Sequence, residues 1–186
     1  MRLFAALLTL ALMATTAHAD DALWAQLAKG GNLILMRHGL TTPGVGDPPG
    51  FKLTDCTTQR NLIDEGRAEA KRAGAAVKAR NVPIKEVRTS PWCRCVETAR
   101  IAFATEPMVD TMLSNLFTDP QNREAQVLAF RKFAATRPTG GNIVLVTHGA
   151  TIAAFTGINP GTAEMVIVAP DGKGGFAVVG RLPVPP

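Results

Sequence analysis

With 186 residues, 46% of them hydrophobic, the chain has enough apolar material for one globular domain around a buried core. Its formal net charge of +5 comes from dispersed lysines and arginines, and only 5% of residues are aromatic. That balance excludes a nucleic-acid face built on basic runs and base-stacking platforms, and leaves a charged surface with a few anion-binding arginines.

The first nineteen residues are a separate unit. Arg2 precedes an apolar run from Leu3 to Met13, and Ala17-His18-Ala19 follows. A basic start, an apolar centre and an Ala-x-Ala site form the layout of a secretory signal peptide, with cleavage after Ala19. The apolar run is short for a bilayer, so no membrane span is expected after cleavage. Residues 20–186 are then a single domain with a net charge of +4, since the leader carries Arg2 and no acid. Periplasmic or secreted placement makes Cys56, Cys93 and Cys95 candidates for a disulfide. Cys56–Cys93 is the first candidate pairing, Cys56–Cys95 the second, and three separate thiols the alternative. An odd count leaves one thiol over. No Cys-x-x-Cys pair exists and only His38 and His148 survive cleavage, so no metal site is expected.

Along the mature chain, Asp20 to Lys29 predicts an amphipathic helix, stopped by Gly30-Gly31. Asn32-Leu33-Ile34-Leu35-Met36 is an apolar run of the kind that forms a strand buried on both faces, and it runs into Arg37-His38-Gly39. Thr41 to Asp55, rich in proline and glycine, predicts a long loop, placed to act as a substrate-facing lid that extends to Gln59. Asp64 caps a helix running to about Arg80, whose Arg67, Lys71 and Arg72 form a solvated face. Ile84 to Ser90 is a second strand, and Cys93 to Ala104 a second long helix after Pro91. Residues 105–119 are irregular. A helix then starts at Asp119 or Asn122 and closes before Pro138. Asn142 to Thr147 is another apolar strand leading into His148-Gly149, with a short helix over Ala150 to Phe155. Met165 to Val168 and Phe176 to Val179 are the last strands. Alternating helices and strands give a three-layer α/β/α fold on a mostly parallel sheet.

The chemistry-bearing residues collect at strand ends. In a parallel sheet the residues after Met36 and after Val146 lie on one edge, so His38 and His148 converge there. Between them in sequence, Ser90-Pro91-Trp92-Cys93-Arg94 joins a strand end to a helix start, aiming Arg94 and the first amides of the helix at the same edge. Arg37, Arg94, both histidines and a helix N-terminus form an anion pocket.

These pieces resemble the histidine phosphatase superfamily, the phosphoglycerate-mutase-like fold. The matching stretches are Leu35-Met36-Arg37-His38-Gly39, Leu62-Ile63-Asp64-Glu65-Gly66, Ser90 to Ala99, and Val146-Thr147-His148-Gly149. The resemblance implies that His38 is a nucleophile that becomes phosphorylated, and that Arg37, Arg94 and His148 hold the phosphoryl oxygens. It also implies no cofactor and a metal-independent phosphatase acting on a small phosphorylated substrate. Some small exported members of this superfamily remove phosphate from lipopolysaccharide core heptose, and the similarity in size and secretion makes an envelope glycan or lipid phosphate a candidate substrate. The family pattern places a glutamate, the proton donor, where this chain has Asn115. Asp119 is then the first candidate donor, Glu164 the second, and Asn115 a candidate substrate contact. Gln59 and Arg60 either touch substrate or end a solvated loop. Glu97, one helical turn past Arg94, is expected to orient it as an ion pair. The missing glutamate keeps a weakly active or inactive phosphate-binding envelope protein as the alternative, with a phosphomutase behind it.

Overall fold

The structure is a computed structural model that describes residues 20–44 and 46–186; the expected leader over residues 1–19 lies outside them. Its helices are α1 (residues 20–28), α2 (Asp64–Ala79), α3 (Cys93–Phe103), α4 (Arg123–Ala134) and α5 (Gly149–Thr156). Its strands are β1 (Leu33–Arg37), β2 (Ile84–Thr89), β3 (Met108–Val109), β4 (Asn142–Thr147), β5 (Met165–Pro170) and β6 (Phe176–Leu182).

The six strands form one sheet in the order β3-β2-β4-β1-β5-β6. β1, β4, β2 and β3 run parallel, while β5 is antiparallel to both β1 and β6. Alternation along the central strands builds two cores. Ile34, Met36, Val144, Val146, Met165 and Ile167 face α1, α2 and α3, while Leu33, Leu35, Ile143, Leu145, Val166 and Val168 face α4 and α5. The expected three-layer α/β/α architecture follows directly. Strands covered on both faces have no polar side, which is why β1 and β4 read as unbroken apolar runs.

Several boundaries moved. Asp64 does not cap α2: Ile63 holds the cap position without a side-chain bond, and Asp64 instead opens the helix and pairs with Arg67 at 3.0 Å. An acidic first turn still suits the helix dipole. Residues 105–119 are not wholly irregular, since Met108–Val109 adds an edge strand to β2. β5 and β6 run longer than expected because they pair with each other along their whole length.

Register fixes the working edge. Arg37 lies opposite Thr147, and Thr89 lies opposite Val146, so β1, β4 and β2 end side by side. The His38 amide donates to Thr147 O and the Ser90 amide to Val146 O, carrying the pairing one residue past each strand. Behind the edge, α2 approaches the chain leaving His38 closely. A Cβ on Gly66 would lie 1.9 Å from Leu40 O, and one on Gly39 would lie 2.3 Å from Gly66 O. Only glycine at both positions permits this contact.

Candidate active site

His38 emerges from the end of β1 almost buried, at 4% exposure. Its Nδ1–H donates to Gly39 O at 2.8 Å. A carbonyl only accepts, so Nδ1 carries the proton and Nε2 keeps its lone pair. Burial, reinforced by the charge of Arg94 and of Arg37 and Arg60, pushes this imidazole down to about 3, against a weaker opposing pull from the Gly39 bond. His38 is therefore neutral at ordinary pH, with one nitrogen available for attack.

His148 follows β4 and caps α5. Its ring meets that of His38 edge-on at 5.3 Å. Arg94 Nη2 donates to its Nδ1 at 3.4 Å, so Nε2 carries the proton and donates to Ser90 Oγ at 2.8 Å. In this arrangement the single N–H of His148 goes to Ser90. Burial lowers it well below the usual histidine range, with the positive charge around it adding to the effect. Cys95, the thiol left over, lies 3.5 Å from His148 Nε2 and is pushed up to about 12, mainly by burial.

The disulfide joins Cys56 to Cys93, with Cα atoms 5.7 Å apart. It ties the end of the lid to the first residue of α3. Gln59 reinforces the tie: its Oε1 accepts from the Cys93 amide at 3.0 Å, and its Nε2 donates to Lys52 O at 3.0 Å. Gln59 is thus a brace between lid and helix, and does not line the cavity. The helix amide expected to face an anion is already capped by it.

Arg94 is where the lid matters most. Its Nη1 and Nη2 donate to the two carboxylate oxygens of Asp47 at 2.7 and 3.2 Å, with both side chains 1% exposed. Asp47 also accepts from the Arg60 amide at 3.0 Å and from Trp92 Nε1 at 3.1 Å. Burial alone would raise Asp47; the Arg94 bond, then the Arg60 amide, the Arg94 charge and the Trp92 bond outweigh it, leaving the carboxyl below its usual range. Such a pair is geometrically specific and leaves neither charge unpaired. Glu97 does not orient Arg94. It sits on the outer side of α3, facing α2, and accepts from Arg67 Nε at 2.7 Å.

A cavity of about 270 Å³ opens on this edge, and its walls include Arg37, His38, Arg60, Arg94, His148, Asn115, Phe117 and Asn159. Arg37 is anchored by Nη1 donating to Pro160 O at 2.8 Å, and Arg60 by Nη1 donating to Gly44 O at 2.8 Å. Among the described residues, the buried side-chain nitrogens without a partner are the Nε atoms of Arg37, Arg60 and Arg94. Three guanidinium groups gathered on one cavity point to an anion as its occupant. Gly149 and Ala150, the first residues of α5, also line it and add the positive end of a helix.

Neither expected proton donor reaches this cavity. Asp119 sits at the cap of the short turn Pro120–Asn122 and accepts from Gln121 Nε2 at 3.3 Å. Glu164 accepts from Arg181 and from the Gly161 amide, and lies outside the cavity wall. Asn115 does line it, with Nδ2 donating to Thr118 Oγ1 and Oδ1 accepting from the Phe117 amide. Asp47, Phe117 and Asn159 were missed in the sequence. All lie in irregular segments, where no periodicity directs a side chain. The lid carries both Asp47 and Asp55 among its prolines and glycines, and nothing in the pattern sets Asp47 apart.

The family model described as the histidine phosphatase superfamily (branch 1) matches residues 33–116, from β1 through Arg94 to the segment after Asn115. Among solved structures, the chain is similar to an open-reading-frame product of Mycobacterium tuberculosis, with a TM-score of 0.61 and 20% identity over 80% of this chain and 96% of that one. It is similar to the protein histidine phosphatase SixA complexed with tungstate, at 0.57 and 16% identity over 82% and 96%. It is also similar to the phosphoserine phosphatase of Entamoeba histolytica bound to 3-phosphoglyceric acid, at 0.56 and 15% identity over 81% and 95%. At such identities the likeness establishes the fold. No match was found among curated proteins. The family model thus matches from β1 through the Arg94 helix, and the fold is shared over four fifths of the chain.

Proposed function

We propose that this chain is an exported, metal-independent phosphatase that hydrolyses phosphomonoesters through a phosphohistidine on His38. One observation carries the reading: Nδ1 of His38 is tied to Gly39 O, leaving a neutral Nε2 beside guanidinium groups whose buried Nε atoms have no partner. Phosphoryl transfer asks chiefly for positioning and for positive charge around the transferring group. Arg37, Arg60 and Arg94 supply that charge, and His148, by accepting from Arg94, keeps the guanidinium turned into the cavity. Asp47 holds the other side of the same guanidinium. Removing residues 1–19 would place the domain in the periplasm or outside the cell, where Cys56–Cys93 persists and phosphoryl compounds of the envelope are within reach. No helix among the described residues is long and apolar enough to cross a membrane.

The direct test is hydrolysis of an aryl phosphate by the purified protein with and without chelator, beside His38→Ala. Turnover that ignores chelator and vanishes in His38→Ala is the expected result, and activity surviving His38→Ala would refute the nucleophile. The reading as a phosphate-binding protein is favoured by one feature, the absence of a carboxylate among the described residues lining the cavity. Phosphate binding without turnover of any phosphoryl compound would establish it.

A further inference from the structure

The cavity is chemically one-sided. Guanidinium groups and neutral imidazoles line it, and among its described lining residues there is no aspartate or glutamate. Each neighbouring carboxylate is engaged elsewhere. Asp47 receives four hydrogen bonds, from Arg94, Arg60 and Trp92, and stays ionised. Glu69 accepts from the Leu40 amide and Thr162 Oγ1, both at 2.7 Å. Glu164 is held by Arg181 and Gly161, and Asp119 lies off the cavity. His148 is neutral and gives its one proton to Ser90. Asn115, which does face the cavity, has no acidic proton.

Nothing in this site can protonate a departing oxygen. We propose that it acts on phosphoryl compounds whose leaving group departs unprotonated, namely aryl phosphates, acyl phosphates and related mixed anhydrides, and discriminates against phosphate esters of alkyl alcohols. This rests on the phosphatase reading and narrows its substrate class. In the first step the His38 Nε2 lone pair forms the N–P bond and the P–O bond breaks. The electron pair leaves with the phenolate, which takes a proton from solvent after release, or with the carboxylate, which stays ionised. Nδ1–H stays on Gly39 O and the ring becomes a phosphoimidazolium. In the second step water forms the new P–O bond, the N–P pair returns to Nε2, and the proton lost by water ends on the product as dihydrogen phosphate. An alkoxide is too basic to leave in this way, and general acid catalysis that would otherwise assist it is worth about 10²–10⁴-fold.

The test follows the rate of His38 phosphorylation in single turnovers at saturating substrate, so that binding is separated from chemistry. Substrates run from acetyl phosphate and nitrophenyl phosphate through phenyl phosphate to glycerol phosphate and phosphoserine. The expected result is a steep dependence on leaving-group acidity, with alkyl esters at least ~100-fold slower than nitrophenyl phosphate. Asn115→Asp, close to isosteric and able to keep its bond from the Phe117 amide, is expected to raise the alkyl-to-aryl ratio about tenfold or more. A flat dependence, with turnover still abolished in His38→Ala, overturns the proposal and leaves the phosphatase reading standing. Absence of His38-dependent turnover across the series overturns both.

Discussion

β1 and β4 lie side by side, and their two ends solve opposite problems. At the start of each strand stands a buried asparagine. Asn32 Nδ2 donates to Gly30 O and to Asn142 Oδ1, and its Oδ1 accepts from Gln26. Asn142 Nδ2 donates to Leu27 O and Pro83 O at 2.8 and 2.9 Å. This end is neutral, closed and fully paired, and it stitches α1 and the start of β2 to the sheet. At the other end stand His38 and His148 among guanidinium groups with open Nε atoms. Both ends are equally buried, so burial does not distinguish structure from function here. Unpaired donors and pooled positive charge do, because folding alone would eliminate them.

The largest effect that separates the ends is on activity. His38→Ala should reduce phosphatase turnover about a thousandfold or more, while the melting temperature holds or rises because a polar ring leaves a crowded cationic site. Rate and melting measured on the same preparation check both halves. Asp47→Ala should act on both quantities: it strands a buried guanidinium, costing about 3 kcal/mol in denaturant unfolding, and releases Arg94 from its set orientation. Asp47→Asn, which keeps the shape and removes the charge, should lose less stability. At the paired end, Asn142→Ala should cost about 1–3 kcal/mol and leave KM for an aryl phosphate unchanged, since it strands buried carbonyls and amides far from the cavity.

Acid should also tell the ends apart. The folded chain holds His38 down to about 3, whereas the unfolded chain titrates it near 6.5. Between those values the unfolded state binds the extra proton, so stability is complete above 6.5 and declines as pH falls toward 3. That decline should shrink in His38→Ala when unfolding is followed against pH. For the same reason kcat/KM, corrected for ionisation of the substrate, should show no acid limb near 6.5 from His38. The smallest effect belongs to Asp119→Asn, which should change turnover by less than about twofold, because Asp119 lies outside the cavity.

What the sequence shows of this design follows from where its residues sit. Leu33 to His38 and Ile143 to His148 are legible because a doubly buried strand must be apolar, and a polar residue at its end therefore stands out. Arg94 is legible for a similar reason, standing one residue into a helix that follows a strand end. The lid obeys no period, so Asp47, which sets the orientation of Arg94, could not be told from any other loop aspartate. Glu97 shows the limit of spacing along one helix. Arg94 turns inward to Asp47, while Glu97 faces α2, and only the packed partner decides between an intrahelical pair and the one with Arg67. Gln59 fails likewise: next to Arg60 in sequence, it braces the Cys93 amide while Arg60 enters the cavity wall.

The most direct test of the central claim is to capture the covalent intermediate. The protein is mixed briefly with an excess of acyl or aryl phosphate, denatured in alkali where phosphohistidine survives, and mapped by mass spectrometry. The account predicts a single added phosphoryl group on His38, bonded through Nε2 and absent from His38→Ala. Rapid turnover with no adduct, or an adduct on any other residue, would contradict it.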